Sequence, residues 1–427
     1  MAESIGSGTI RWITSIGTGL LMAAGPVFAA THSLSGGIDN RFSDNALLVS
    51  TGEQSDTETR VNLNLQYLSD PGQCSSAADM GLAYGYWHNN VEDSEFYTNG
   101  TLHGQCELAK GLLWQASDTI KQVPQDTQEA DTRDNRTRKN VFSTGPVYTL
   151  QLTQVDQLQF SAAYENTEFE EPEEPDSERV TSTASYNHNF SDTLQGGLSL
   201  SAERAELDTE EELDRESAVV TFSKAWATTQ VSGSLGVNRL ETRLGIRKVS
   251  SDAVTGTFNL VRDIDPTSEL TFSATRRLTD LTSTLDLQFS DFNFDLTQTS
   301  AAEITVLQAG YSTQFSQGST FRARISANRS DYVDSGERQE NRNVSLRYSQ
   351  PVTGLLSWYT NAGYQHQRYE DEGSKGEIFS GSVGLDYRLS ARMDVRAAIG
   401  RREKTRDIEL REYVENWVVV SLDYRFF

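Results

Sequence analysis

The stretch LQGGLSLSAERAELDTEEELDRESAVVTFSKAW, residues 194–226, holds two runs of alternation separated by a burst of acid. Leu194, Gly196, Leu198, Leu200 and Ala202 share one parity; Gln195, Gly197, Ser199, Ser201 and Glu203 share the other. After ELDTEEELDRE the pattern resumes with Ala218, Val220, Phe222 and Trp226. Period two puts successive side chains on opposite faces of an extended strand, so the stretch reads as a β-hairpin. The open matter is whether its apolar face points into a core or away from one.

Composition leans away from a core. An apolar fraction of 36% and a mean hydropathy of −0.53 are low for a 427-residue chain that must fill a conventional interior. Acids outnumber bases 61 to 37, and a net charge of −24 argues against nucleic acid and against an anionic membrane surface as partners. With only 8 prolines beside 18 phenylalanines and 16 tyrosines, wholesale disorder is excluded.

The alternation recurs in RVNLNLQYLS (60–69), LQFSAAYEN (158–166), RVTSTASYNHNF (179–190), FRARISANR (321–329) and NWVVVSLDYRFF (416–427). Beyond the first thirty residues no stretch carries a helical period. Tight connections such as SDT (191–193), ATT (227–229), SQG (316–318) and SAR (390–392) alternate with long polar ones. The long ones include VPQDTQEADTRDNRTRK (123–139), EFEEPEEPDSE (168–178), ELDTEEELD (206–214) and YEDEGSKGE (369–377). Short turns at one end and long loops at the other are the pattern of an outer-membrane barrel. In lipid a closed barrel pairs every backbone group without leaving an edge.

The expected fold is therefore all-β: a transmembrane antiparallel up-and-down barrel of about twenty strands, eighteen being the alternative. Its apolar parity faces lipid and its polar parity lines a lumen too wide for side chains to fill. Short periplasmic turns and long acidic external loops complete it. Residues 278–303 read as a long external loop with strand extensions, able to fold inward as a gate or to hide two more strands. Trp87, Trp114, Trp226, Trp358 and Trp417 fit an interfacial girdle. The aromatic last strand suits recognition by barrel-assembly machinery, with Phe427 out of phase with Tyr424 and Phe426. Lipid and lipopolysaccharide are the surrounding partners.

Arg11 followed by the Gly-punctuated apolar run WITSIGTGLLMAAGPVFA describes a secretory leader over 1–29, cleaved after Ala29. Residues 30–427 then form a single barrel domain, and export without a membrane helix points to a Gram-negative outer membrane.

Candidate chemistry is sparse. Cys74 and Cys106 fall at one rim of the expected barrel and suit a structural disulfide. His32, His88, His103, His188 and His366 are scattered without ligand spacing, and His188 and His366 fall on the outward parity. No motif of hydrolase, metalloprotease or phosphate-loop type occurs, so neither an enzyme nor a cofactor nor a metal is expected. The acid runs lack the ligand order of a calcium loop and read as solvated loops. By parity Arg322, Arg324, Arg347, Arg388 and Arg396 point inward. They form either a basic stripe that concentrates anions or a set of ion pairs with inward acids such as Asp386, Asp394 and Glu203.

SLSGGIDNRFSDNALL, NRTRKNVFSTGPVYTLQL, ISANRSDYVDSGERQENRNVSLRYSQPVTGLLSWYTNAGYQHQR and YVENWVVVSLDYRFF together resemble outer-membrane β-barrels encoded with exopolysaccharide and exosortase (PEP-CTERM) systems. The resemblance spans the mature chain. It implies a non-enzymatic conduit or accessory barrel in surface-polysaccharide export, with periplasmic polysaccharide-export proteins as partners. A general or anion-preferring porin, or a structural and adhesive barrel, are the other readings of the same residues.

Overall fold

The computed structural model describes residues 31–427 except 246, 285–287, 289–291, 297–300, 334, 371–372 and 408–411; the expected leader lies outside the described residues. Twenty antiparallel strands form one sheet. Each pairs with its neighbours in sequence, and β1 (Thr31–Ser43) pairs with β20 (Tyr413–Arg425), so the sheet closes on itself as an up-and-down barrel. The count is twenty rather than eighteen, residues 31–109 supplying four strands up to β4 (Glu95–Ala109).

The hairpin that opened the sequence reading is β9 (Leu194–Leu207) and β10 (Glu211–Ala225). Leu198, Leu200, Val220 and Phe222 are all exposed, at 43–59%. The opposite parity is hydrogen-bonded into the lumen wall, Ser201 Oγ lying 2.6 Å from Ser217 Oγ and Ser185 Oγ 2.9 Å from Ser199 Oγ. The apolar face points outward.

Turns at 110–111, 192–193, 266–267 and 391–392 lie at one end, the turn end; 44–55, 125–135, 170–176 and the connection from β13 (Ser268–Asp280) to β14 (Ala301–Gln314) lie at the other, the loop end. Outward aromatics form two belts. Trp114, Trp226 and Trp358 belong to the turn-end belt, while Tyr84 against Phe96 and Tyr364 against Phe379, both at 4.8 Å, mark the second. Trp87 and Trp417 depart from the expected girdle, because both sit on the inward parity of their strands.

Trp417 belongs instead to a recurring arrangement on the lumen wall. A Cβ at Gly400 would collide with its indole, one at Gly384 with the Tyr359 ring, and one at Gly85 would stand 3.0 Å from Tyr97. Each ring lies over a glycine and carries a guanidinium: Arg41 at 5.6 Å from Trp417, Arg347 at 4.8 Å from Tyr359 and Arg60 at 4.0 Å from Tyr97. Glycine is needed there because the aromatic occupies the space of its side chain.

Of the two acid runs, EFEEPEEPDSE keeps a loop at 170–176, whereas ELDTEEELD is mostly strand, which corrects the expectation of a long loop there. β9 runs to Leu207 and β10 starts at Glu211, leaving only 208–210 between. Near the loop end the two parities exchange chemistry: Ala205, Leu207 and Leu213 are buried inside, whereas Arg204 and Glu206 point out and pair at 3.2 Å. Charges facing outward and apolar groups facing inward break the reading used lower down, so the pattern looks like loop.

Where β1 meets β20 no turn joins the partners. Their ladder runs from Ser35–Arg425 to Ser43–Trp417. Side chains latch it at the loop end: Arg41 pairs with Glu415 at 2.7 Å, the Ser43 hydroxyl donates to Glu415 at 2.8 Å, and Asn416 Nδ2 donates to Asp44 at 2.7 Å. Phe427 packs edge-on against His32 at 5.0 Å.

Candidate functional site

A lumen of this width would stand open if nothing entered it. Two segments enter it from the loop end. The first begins in β13 (Ser268–Asp280), which pairs with β12 (Arg247–Asp265) only as far as Gly256–Arg276. Its last residues are still paired with β14 (Ala301–Gln314), and the described residues that follow, 281–284, 288 and 292–296, enter the barrel. Leu281, Phe292, Phe294 and Leu296 are buried there against Val123, Phe169, Ile304 and Tyr332. The inward fold is the one the sequence allowed for 278–303, and no additional strand occurs among the described residues.

Buried cations hold this segment. Lys139, on β6 (Arg136–Gln151), is fully buried and donates to the Leu281 carbonyl at 2.9 Å and the Ser283 carbonyl at 2.6 Å. Arg179, on β8 (Ser177–Ser191), pairs with Asp280 at 2.7 Å and with Glu203, and donates to Thr282 Oγ1 at 2.9 Å. Arg215 also pairs with Glu203 and reaches the Leu278 carbonyl at 3.2 Å. At the far side Gln339 Nε2 donates to Asp295 at 2.7 Å, and the Asp295 backbone N–H donates to Tyr332 Oη at 3.2 Å.

The second segment, 125–135, is cross-braced by Asn135, which donates to the Asp126 and Ala130 carbonyls at 2.8 and 3.0 Å. It reaches the opposite wall. Lys404 and Arg406 on β19 (Met393–Arg406) donate to the Gln128 carbonyl at 2.8 and 2.9 Å, and Tyr369 Oη donates to the Thr127 carbonyl at 3.0 Å. The two segments meet where Leu296 N–H donates to the Gln125 carbonyl at 2.9 Å. Beside them remains a cavity of about 440 Å³, bounded by 126–131, Asn293 and the walls of β15 (Thr320–Tyr332), β16 (Arg338–Pro351) and β17 (Leu356–Tyr369).

Glu174, in the loop 170–176, is 8% exposed, and burial with the neighbouring Asp295, Glu173 and Glu171 pushes its carboxyl up to about 7.

The five arginines read from parity all face the lumen near the turn end, but they split into two groups. Arg396 lies 3.0 Å from Asp386 and Arg388 3.8 Å from Asp394. Arg322, Arg324 and Arg347 have no acidic partner among the described residues; Arg322 and Arg347 stand directly opposite each other in register. Glu203, named as a possible partner of the stripe, instead serves Arg179 and Arg215. Cys74, the first residue of its strand, and Cys106 face each other in register and are joined by a disulfide at the turn end. His188 lies 2.7 Å from Asp156 and His366 3.7 Å from Glu377. Among the described residues no group of three or more His, Cys, Asp or Glu side chains is arranged to hold a metal ion.

The sequence reading missed Lys139, Arg179 and the 125–135 crossing. The available signal was inward parity: Lys139 and Arg179 are charges on the lumen side of the loop end, where Ala205, Leu207 and Leu213 are apolar.

No family model and no curated protein matches the chain. Among solved structures it is similar to the FrpB iron transporter from Neisseria meningitidis (F5-1 variant), at 8% identity and TM-score 0.47 over 92% of this chain and 82% of that one. It is also similar to the outer membrane protein OpdK from Pseudomonas aeruginosa, at 11% and 0.44 over 93% and 99%. The ferric citrate transporter FecA matches at 8% and 0.49 over 92% and 78%.

Proposed function

We propose that this protein is a non-enzymatic outer-membrane channel, constricted by its own inward segments, whose cargo is surface exopolysaccharide on its way out. The observation that carries the channel reading is the barrel's inverted chemistry: an apolar, aromatic-belted outside around a hydrogen-bonded polar lumen narrowed by 281–296. Strands of 13 to 19 residues exceed the roughly 9–11 that cross a bilayer, and the surplus at the loop end is where charges turn outward. The loop end therefore faces the exterior and the turn end the periplasm, where polysaccharide-export proteins would dock. Export of polysaccharide is supported by the resemblance of the mature chain to barrels of exopolysaccharide gene clusters.

Deleting the gene and measuring surface and periplasmic polymer tests this reading. Loss of surface polymer, restored by complementation, is the expected result; unchanged polymer would sink the conduit role.

A second reading, an anion-preferring porin, is favoured by Arg322 and Arg347. Like charges directly opposite on neighbouring strands are destabilising, so an arginine row without acids suits attraction of anions. Replacing Arg322 and Arg324 by serine should then lower anion selectivity in a reversal-potential measurement.

A further inference from the structure

One wall of the cavity beside the inward segments is built of amides and hydroxyls. Asn341 on β16 stands opposite Gln367 on β17, with Asn328 of β15 opposite Asn341 on its other side. The next inward row repeats the theme with Ser326, Asn343 and Gln365. Alternation has thus placed six hydroxyl and amide side chains on one patch of wall, of which four line the cavity.

Three of their atoms are left over, two of them on residues that line the cavity, Asn341 and Gln367, and one, on Ser326, behind it. Asn341 Oδ1, Gln367 Oε1 and Ser326 Oγ are buried without a hydrogen-bond partner among the described residues, Gln367 being 9% exposed and Ser326 3%. Buried polar atoms are ordinarily satisfied, and an unmet carbonyl costs what a lost hydrogen bond costs. The two amide oxygens accept only, so what completes them must donate.

Charge narrows the choice. Four basic and four acidic side chains line the cavity, and they are engaged locally: Arg136 pairs with Asp131 at 2.8 Å, and Lys404 donates to the Gln128 carbonyl at 2.8 Å. The formal charges of the lining balance, so the cavity has no excess of either sign to select an ion. Tyr369 and Tyr413 add two buried rings, and about 440 Å³ falls within the roughly 300–1,000 Å³ of small-molecule sites. A neutral molecule dense in hydroxyl groups, each both donor and acceptor, matches this lining.

We propose that the cavity is a binding site for a neutral oligosaccharide, with the Asn341 and Gln367 amides, which line it, turning their unpartnered oxygens to accept from its hydroxyls. The site rests on the channel reading only in that it would lie on the transport path; binding itself does not require flux.

The test uses the folded full barrel in detergent, titrated calorimetrically with maltotriose, cellotriose and mannotriose, and with trigalacturonic acid as the charged counterpart. The same sugars are then added to single channels in planar bilayers. Binding of at least one neutral trisaccharide is expected, weakened roughly tenfold by Asn341→Leu and by Gln367→Leu. Asn341→Ala and Gln367→Ala serve where a leucine variant does not fold, folding being read from heat-modifiable migration. Absence of binding by all three sugars, binding of the acid alone, or equal affinity in the variants would overturn the site. Sugar binding by a barrel that conducts nothing overturns the channel reading and leaves the site standing; conduction without sugar binding does the reverse.

Discussion

At Arg179 one guanidinium, 4% exposed, ties β8 to Glu203 and to Asp280, where the chain leaves the wall for the lumen. A buried ion pair adds little over an apolar replacement of all its members, but removing one member strands the others. Arg179→Met should therefore destabilise the inward segment by on the order of 3–5 kcal/mol, read as a lower unfolding midpoint and a larger single-channel conductance. Unchanged values for both would show that the cluster does not hold the segment. Glu174 makes a second, pH-dependent demand. Its folded-state carboxyl titrates near 7, above the usual 4.5, so the stability linked to it is fully present below pH 4.5 and is lost as pH rises through about 7. Above that point a carboxylate is forced beside Asp295. Glu174→Gln should flatten this part of the stability profile between pH 4.5 and 7.5, measured by thermal unfolding of the full barrel.

Among the elements, 281–296 is the one whose removal changes the lumen most. Replacing 284–296 by a short Gly-Ser linker should raise conductance severalfold without altering heat-modifiable migration, because every wall strand keeps its ladder; an unchanged conductance would place the constriction elsewhere. This is also where legibility from sequence changes. Strands such as β9 could be read because period two depends on nothing but the pleat, and the same parity gave Arg322 and Arg347 their inward direction. The disulfide partners could be read because they flank adjacent strands. Trp87 and Trp417 were misjudged because residue type was allowed to outweigh parity. The inward course of 281–296 could be suspected from its length, but its anchors could not be found locally: Lys139 and Leu281 are 142 residues apart. The acid-rich stretch 206–214 reads as loop for another reason, since near the loop end the preference that marks a strand's outer face reverses.

For the whole molecule, closure is the event that makes the wall. Every other pair of neighbouring strands is joined through a turn or loop, whereas β1 and β20 meet across nearly the full chain, Arg41 and Glu415 being 374 residues apart. Contacts at that separation carry the largest loop entropy and form after the local hairpins. Glu415→Gln should therefore increase amide exchange along 35–43 and 417–425 while leaving β9 and β10 unaffected; uniform exchange would mean that the latch is dispensable. The same geometry fixes what a shortened product would be. A chain ending before Tyr413 keeps nineteen strands but loses both ladders of β20, and β1 and β19 become two margins of a curved sheet, each a row of amides and carbonyls without its partner. Those rows can be met by β1 and β19 pairing with each other as one parallel seam or by the margin of another copy, so loss of the last fifteen residues opens a route to edge-to-edge association that the intact ring lacks.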